Sequence, residues 1–210
     1  NGKMEEIPPV VARSCTYGLI LAVPVAIGGF ILADDLMYYF YGADFAAGAV
    51  SACILFLFQI VSVFLIIIGN ALSSSGHPRN TFYGTLAAVI LNVILDILLI
   101  PIMGINGAAL GSLCAVIINV LIVTHELKKF MPDFVEKKPL LHILLASLLM
   151  GIVVLVYALI VPLSNVGLVL IPVIAGGILY AIVLLKLDKG IHDDIKEMVT
   201  NFGLPWPKKL

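Results

Sequence analysis

Charge is what this sequence has least of. Only 12% of its 210 residues are Asp, Glu, Lys or Arg, about half the share of an ordinary soluble domain. Hydrophobic residues make up 61% of the chain, and the mean hydropathy is +1.15. That balance excludes a soluble globular domain and places the chain in a bilayer. The net charge of −1 excludes the basic field that a nucleic-acid partner requires. Cysteine is scarce too: Cys15, Cys53 and Cys114 each sit in an apolar run without metal-ligand spacing, and read as packing residues. The histidines, His77, His125, His142 and His192, have no carboxylate or cysteine at the spacing of a zinc site or a nucleophilic triad. No Gly-rich phosphate loop and no Gly-Lys-Ser/Thr motif is present. Neither a metal, a cofactor nor enzymatic chemistry is expected.

What abounds is uninterrupted apolar sequence. A helix needs about 20 mostly apolar residues to cross the hydrocarbon, and six segments qualify: residues 17–33, 45–69, 81–102, 103–124, 140–162 and 166–185. The runs are continuous and too long for the alternating strands of a barrel, so the expected fold is all-α, a polytopic bundle of six membrane helices. The opening "NGKMEEIPPV" is charged and Pro-rich, and no secretory signal is expected there.

The basic residues orient the bundle. Lys3 and Arg13 precede the first segment, and Arg79 lies between the second and third. Lys128, Lys129, Lys137 and Lys138 separate the fourth from the fifth, and Lys186, Lys189, Lys196, Lys208 and Lys209 follow the sixth. With six spans all 12 Lys and Arg fall on one side, while the opposite loops hold Asp34, Asp35 and Asp44. Merging any adjacent pair of segments would split the basic clusters. Both ends are therefore expected on the cytoplasmic side of the cell membrane.

One acid interrupts the apolar pattern. Asp96 stands in "NVILDILLIPIMGINGAALGS", residues 92–112. The third segment runs outward in this topology, so Asp96 lies about 9 Å (six residues at 1.5 Å each) inside its outer end. Asn92 is one turn deeper on the same face, and Thr85 and Ala88 extend that face. Pro101 is expected to end the segment where a lost N–H matters least, and Gly104 with Gly107 to permit a tight turn. Gly107 and Gly111 form a GxxxG pair, with Ala108, Ser112 and Ala115 adding small-residue spacings that let helix backbones approach closely in lipid. The second segment carries Ser51, Gln59, Ser62 and Asn70 near helical spacing. An ionisable residue in a membrane usually faces a bundle interior or a water-filled cavity. Asp96, Asn92, Gln59 and Asn70 are thus the candidate cavity-lining or proton- or cation-path residues, with interhelical hydrogen bonding as the alternative for each. Gly107, Gly111, Ala108 and Ser112 read as helix-packing residues.

Pro24 with Gly28 and Gly29, and Pro172 with Gly176 and Gly177, mark helices expected to kink or pack tightly. "LMYYFYG", residues 36–42, places Tyr38, Tyr39 and Tyr41 at the outer boundary as an aromatic belt. Beyond the sixth segment Ile191, Ile195, Met198, Val199 and Phe202 share one helical face, the pattern of an amphipathic helix lying on the cytoplasmic surface.

The order of these features resembles a known family. A Pro-containing span leads into an aromatic stretch closing in Tyr-Gly ("LAVPVAIGGFILADDLMYYFYGADF", 21–45), and a span ending Gly69-Asn70-Ala71-Leu72 leads into a "GHPR" loop. Asn92-x-x-x-Asp96, Leu99-Ile100-Pro101 and Gly104-Ile105-x-Gly107-Ala108-Ala109 follow. Over residues 13–186 this looks like the C-terminal half of the polysaccharide and lipid-linked oligosaccharide flippases. Their superfamily also holds the peptidoglycan lipid-precursor flippase and the MATE multidrug exporters. The resemblance implies two six-helix lobes in a V, often followed by two extra helices. Residues 1–130 would then be the last four helices of the second lobe, 139–186 the extra pair, and 187–210 a cytoplasmic amphipathic tail. It also implies that the earlier helices of the same chain are missing here, and that the partners are a lipid-linked glycan and membrane lipid.

The implied function is to carry a lipid-linked oligosaccharide or polysaccharide precursor, of the O-antigen and lipopolysaccharide kind, across the cytoplasmic membrane by alternating access. A hydroxyl-rich head group cannot cross hydrocarbon unaided, because unpaired polar groups are costly there. In the lipid-precursor flippase the extra pair borders a groove for the lipid tail, and the cavity cations lie mostly in the part absent here; no span of this sequence holds Lys or Arg. A MATE-type multidrug or cation antiporter is the alternative within the superfamily. A membrane-embedded scaffold or a glycolipid enzyme is the alternative outside it.

The basic-residue distribution predicts that impermeant thiol reagents applied from outside will label cysteines placed near Asp44, Asn106 and Asn165, and none near Arg79 or Lys137. External labelling at Lys137 would overturn the six-span topology.

Overall fold

The computed structural model of the chain describes residues 7–131 and 136–201. Its helices are α1 (Ile7–Ile31), α2 (Ala33–Tyr41), a 3-10 turn (Ala43–Gly48), α3 (Ala49–Ser74), α4 (Pro78–Met103), α5 (Ile105–Lys128), α6 (Lys137–Ile160), α7 (Val166–Leu187) and α8 (Lys189–Asn201). Six of these are long and apolar enough to span a membrane: α1, α3 with the turn before it, α4, α5, α6 and α7. Among the described residues there is no strand. The fold is an all-α polytopic bundle.

The helix ends follow from local chemistry. Pro78 opens α4, where its missing N–H would have had no helical acceptor. Asn165 caps α7 by accepting a hydrogen bond from the Leu168 N–H at 3.0 Å. Pro101 does not end α4, which runs on to Met103. The proline sits in the last turn, and the chain stops only at Gly104, whose φ of +58° is a conformation few residues other than glycine adopt. Gly104 donates to the Ile100 carbonyl at 2.8 Å, closing the turn between α4 and α5. Gly107 lies in the first turn of α5, where its N–H donates to the Gly104 carbonyl at 3.0 Å.

The aromatic stretch 36–42 falls largely within the short helix α2, with Asp34 and Asp35 in its first turn, favourable to the helix dipole. Tyr38, Phe40 and Tyr41 are exposed. The Tyr39 hydroxyl turns inward and donates to the Leu163 carbonyl in the α6–α7 loop.

Two clusters form the interior. Cys15 and Val11 of α1 pack with Ile68 and Leu72 of α3 and with Val123 and Leu127 of α5. Leu19, one turn along α1, packs with Ile143, Met150 and Val154 of α6 and with Tyr180 and Leu184 of α7. Of the cysteines, Cys15 is buried, Cys53 is half-buried and Cys114 is exposed; Cys114 lies on a face of α5 turned away from its neighbours, so packing does not account for it. Burial is uneven among the spans: 39% of the apolar window is buried in α1 and in α5, but 11% in α3 and 6% in α4. One face of the bundle, carrying Phe82, Val89, Val93 and Ile97 of α4, is therefore bare.

α8 is held against the basic end of the bundle. Ile191 is buried and Ile195 packs against the second cluster; Met198, Val199 and Phe202 lie outside the described side chains. The Tyr17 hydroxyl donates to Asp194 Oδ2 at 2.6 Å. Asp188, at the α7–α8 corner, accepts from the Ile191 N–H at 3.1 Å, and its Oδ2 lies 2.8 Å from His142 Nδ1 on α6. Partial burial alone would raise the Asp188 pKa, but the hydrogen bonds from His142 and the Ile191 and Gly190 amides outweigh it and hold the carboxyl below its ordinary 3.8.

A carboxyl whose folded pKa is depressed stabilises the fold above its unfolded pKa and loses that contribution as pH falls through the folded value. Asp188→Asn should therefore lower the melting temperature of the intact protein at neutral pH. The difference from wild type should shrink once the pH drops below 3.8; melting curves across that range check it.

Candidate functional site on the α4–α5 hairpin

α4 packs closely on α5, and glycine lets it. A Cβ added at Gly107 would stand 2.5 Å from the Leu99 carbonyl oxygen, the backbone of α4 itself. One turn further along α5, a Cβ at Gly111 would stand 2.5 Å from Asp96 Oδ1 and 3.5 Å from Asn92 Nδ2. The small residues of α5 thus open a notch, and the polar pair of α4 lies over it. Ala108 and Ser112 flank the notch and are half-buried, as Asn92 and Asp96 are.

Among the described residues Asp96 Oδ1 and Asn92 Nδ2 are both buried without a hydrogen-bond partner. A buried polar atom left unpaired costs about 1–3 kcal/mol. The notch therefore holds one unused acceptor and one unused donor on adjacent turns.

Further polar contacts follow the same interface. Asn119 Nδ2 donates to Thr85 Oγ1 at 3.5 Å, and a Cβ at Gly84 would meet Asn119 Oδ1 at 2.9 Å. Near the basic end Asn80 Nδ2 donates to Glu126 Oε2 at 2.8 Å, and Glu126 pairs with Lys129 at 2.6 Å. Near the other end Ser51 Oγ of α3 donates to Asn106 Oδ1 at 2.6 Å. Asn119 is buried and escaped the sequence reading, although a signal existed: it continues the four-residue step of Gly107, Gly111 and Ala115.

The polar stripe of α3 does not stay together. Ser51 turns to α5, whereas Gln59 and Asn70 are exposed and make no hydrogen bond among the described residues. Neither is hydrogen-bonded to the Asn92–Asp96 pair.

A second feature lies on the other side of α1. An open groove of about 550 Å³ runs between α1 and α7 and is lined almost wholly by apolar side chains. Pro24, Gly28 and Gly29 form one wall and Pro172, Gly177 and Tyr180 the other, with Met150 and Val154 of α6 also lining it and Ile195 of α8 lining it at the basic end. Sequence had marked these Pro and Gly residues as sites of kinking or close packing, without indicating that they face one another across a gap.

Six apolar spans define a multi-pass α-helical membrane protein. The chain is similar to two proteins of Haloferax volcanii. It is 28% identical over 130 residues to the probable low-salt glycan biosynthesis flippase Agl15, covering 62% of this chain and 28% of that protein. It is 21% identical over 201 residues to the probable flippase AglR, covering 94% of this chain and 42% of that protein. The chain thus spans less than half the length of either curated relative. No family model matches the sequence, and no solved structure matches it.

The notch predicts the outcome of filling it. Gly107→Leu and Gly111→Leu should each push α5 away from α4 and destabilise the intact protein by about 1–3 kcal/mol, the usual cost of overpacking. Wild-type melting temperatures and membrane levels in both variants would show that the hairpin does not depend on this contact.

Proposed function

We propose that the chain is the C-terminal part of a MATE-like flippase that moves a lipid-linked oligosaccharide or polysaccharide precursor across the cytoplasmic membrane by alternating access. The alignment with AglR over 94% of the chain, together with the six spans, supports this reading. In it, the bare face of α3 and α4 receives the earlier helices of the same protein, and Gln59 and Asn70, now exposed, line the cavity between the lobes. The groove between α1 and α7 takes the isoprenoid tail, whose hydrocarbon matches its apolar lining. The head group keeps to the polar side, away from lipid. The ends of the segment face the cytoplasm, where the positive-inside rule puts the basic residues.

In this flippase the Asn92–Asp96 pair serves chiefly as a hydrogen-bonding wall. A second reading, a MATE-type cation-coupled antiporter, is favoured by the unpartnered Oδ1 of Asp96, a buried acid with capacity left for a cation or a proton.

Glycan export in a complementation assay separates the two. Asp96→Asn keeps the shape and most of the hydrogen-bonding capacity while removing the titratable group, so a flippase should retain export, weakened at most a few-fold. Asp96→Leu should do worse, by the roughly 1–3 kcal/mol of polar partners left unsatisfied. Equal and complete loss in both variants at normal membrane levels would favour the antiporter.

A further inference from the structure

The backbone ladder of α1 lacks one rung. Pro24 has no N–H, so the carbonyl of Ile20, four residues earlier, has no donor within its own helix. Hydrocarbon offers no water in its place. The hydroxyl of Tyr180, reaching over from α7, donates to that carbonyl at 2.8 Å. Tyr180 is 6% exposed, and Tyr180, Pro24 and Ile20 all line the apolar groove. Among the described residues this is the one hydrogen bond between α1 and α7. The walls beside it interlock little: at Gly177 an added Cβ would meet nothing within 4 Å.

We propose that Tyr180 is the positioning residue of the groove. Its bond to the Ile20 carbonyl fixes the separation of α1 from α7, and release of that bond changes the groove's width. As a seat for a lipid tail the groove rests on the flippase reading; the tie itself rests on geometry. The proline that frees the carbonyl also weakens α1 against bending at the same point, so the helix is tied where it is most easily bent. The tie is a single neutral hydrogen bond, whose net contribution is modest, and so can be broken without unfolding the bundle. Pro24 supplies no competing donor for this carbonyl, and the Tyr180 hydroxyl is the side-chain group that reaches it.

A mutant cycle in the intact protein tests the tie. Tyr180→Phe should lower the melting temperature by several degrees while Pro24 is present. In a Pro24→Ala background, where position 24 regains an N–H for the Ile20 carbonyl, the same change should be nearly silent. Equal losses in both backgrounds would overturn the proposal, because the hydroxyl would then be serving something other than the freed carbonyl. Nitroxide labels at Val25 and Ile174, 58% and 62% exposed, report the separation of the walls. Their distance distribution should lengthen and broaden in Tyr180→Phe, and an unchanged distribution would also overturn it. Neither readout needs a substrate. Geranylgeranyl phosphate serves as a separate tail probe, expected to bind wild type and to bind Tyr180→Phe with altered affinity. Its failure to bind either protein, with the cycle and distances as expected, would sink the tail reading and leave the tie standing.

Discussion

Hydrocarbon supplies no hydrogen bonds, and this constraint orders the rest of the molecule. Each polar atom between the faces of the bilayer must find a partner in the protein or remain as a local cost. The termini of the spans meet the demand with local caps: the Asn165 side chain at the start of α7, and the Gly104 amide at the end of α4. In mid-membrane it is met across helices, by Asn119 with Thr85 and by Tyr180 with the Ile20 carbonyl. Among the described residues the demand goes unmet at single atoms of Ser62, Asn119, Thr124 and Ser147 as well as of Asn92 and Asp96, so the pair that sequence singled out shares this cost with others. What distinguishes Asn92 and Asp96 is that their unpaired atoms lie on adjacent turns over one glycine.

The spans were legible because hydropathy measures the same transfer that places a helix in lipid. The segment reading 81–102 and the helix Pro78–Met103 differ by only a few residues. The errors lie where local and tertiary effects compete. Pro101 seemed a terminator, but a proline in the last turn removes few helical bonds, so the glycine after it sets the end. The aromatic stretch 36–42 was read as a belt and is also mostly a helix, since its residues tolerate helical dihedrals once Asp34 and Asp35 favour its first turn.

Part of the candidate site was legible and part was not. The i, i+4 pair Asn92 and Asp96 and the GxxxG pair Gly107 and Gly111 are local periodicities, and such patterns fix which residues share a helix face. They do not fix which helix that face meets. The same logic applied to α3 grouped Ser51 with Gln59 and Asn70, which the bundle separates, because near-helical spacing over many turns drifts around the helix. The groove between α1 and α7 was invisible for a simpler reason. It is formed by residues distant in the chain, and its lining of Leu, Val, Pro and Gly looks the same in sequence as lining that is fully packed.

α1 belongs to both interior clusters, giving Cys15 to one and Leu19, a single turn later, to the other. An insertion or deletion of one residue between them would rotate everything beyond it by about 100°. It would take Leu19 out of its cluster and separate the Ile20 carbonyl from Tyr180. A slip in α4 ahead of Asn92 would likewise turn Asn92 and Asp96 away from Gly111, although most of its other residues face no neighbour. Lineages that diverge from this sequence should therefore keep the length of α1 constant between Val11 and Pro24, and let substitutions accumulate on the exposed faces.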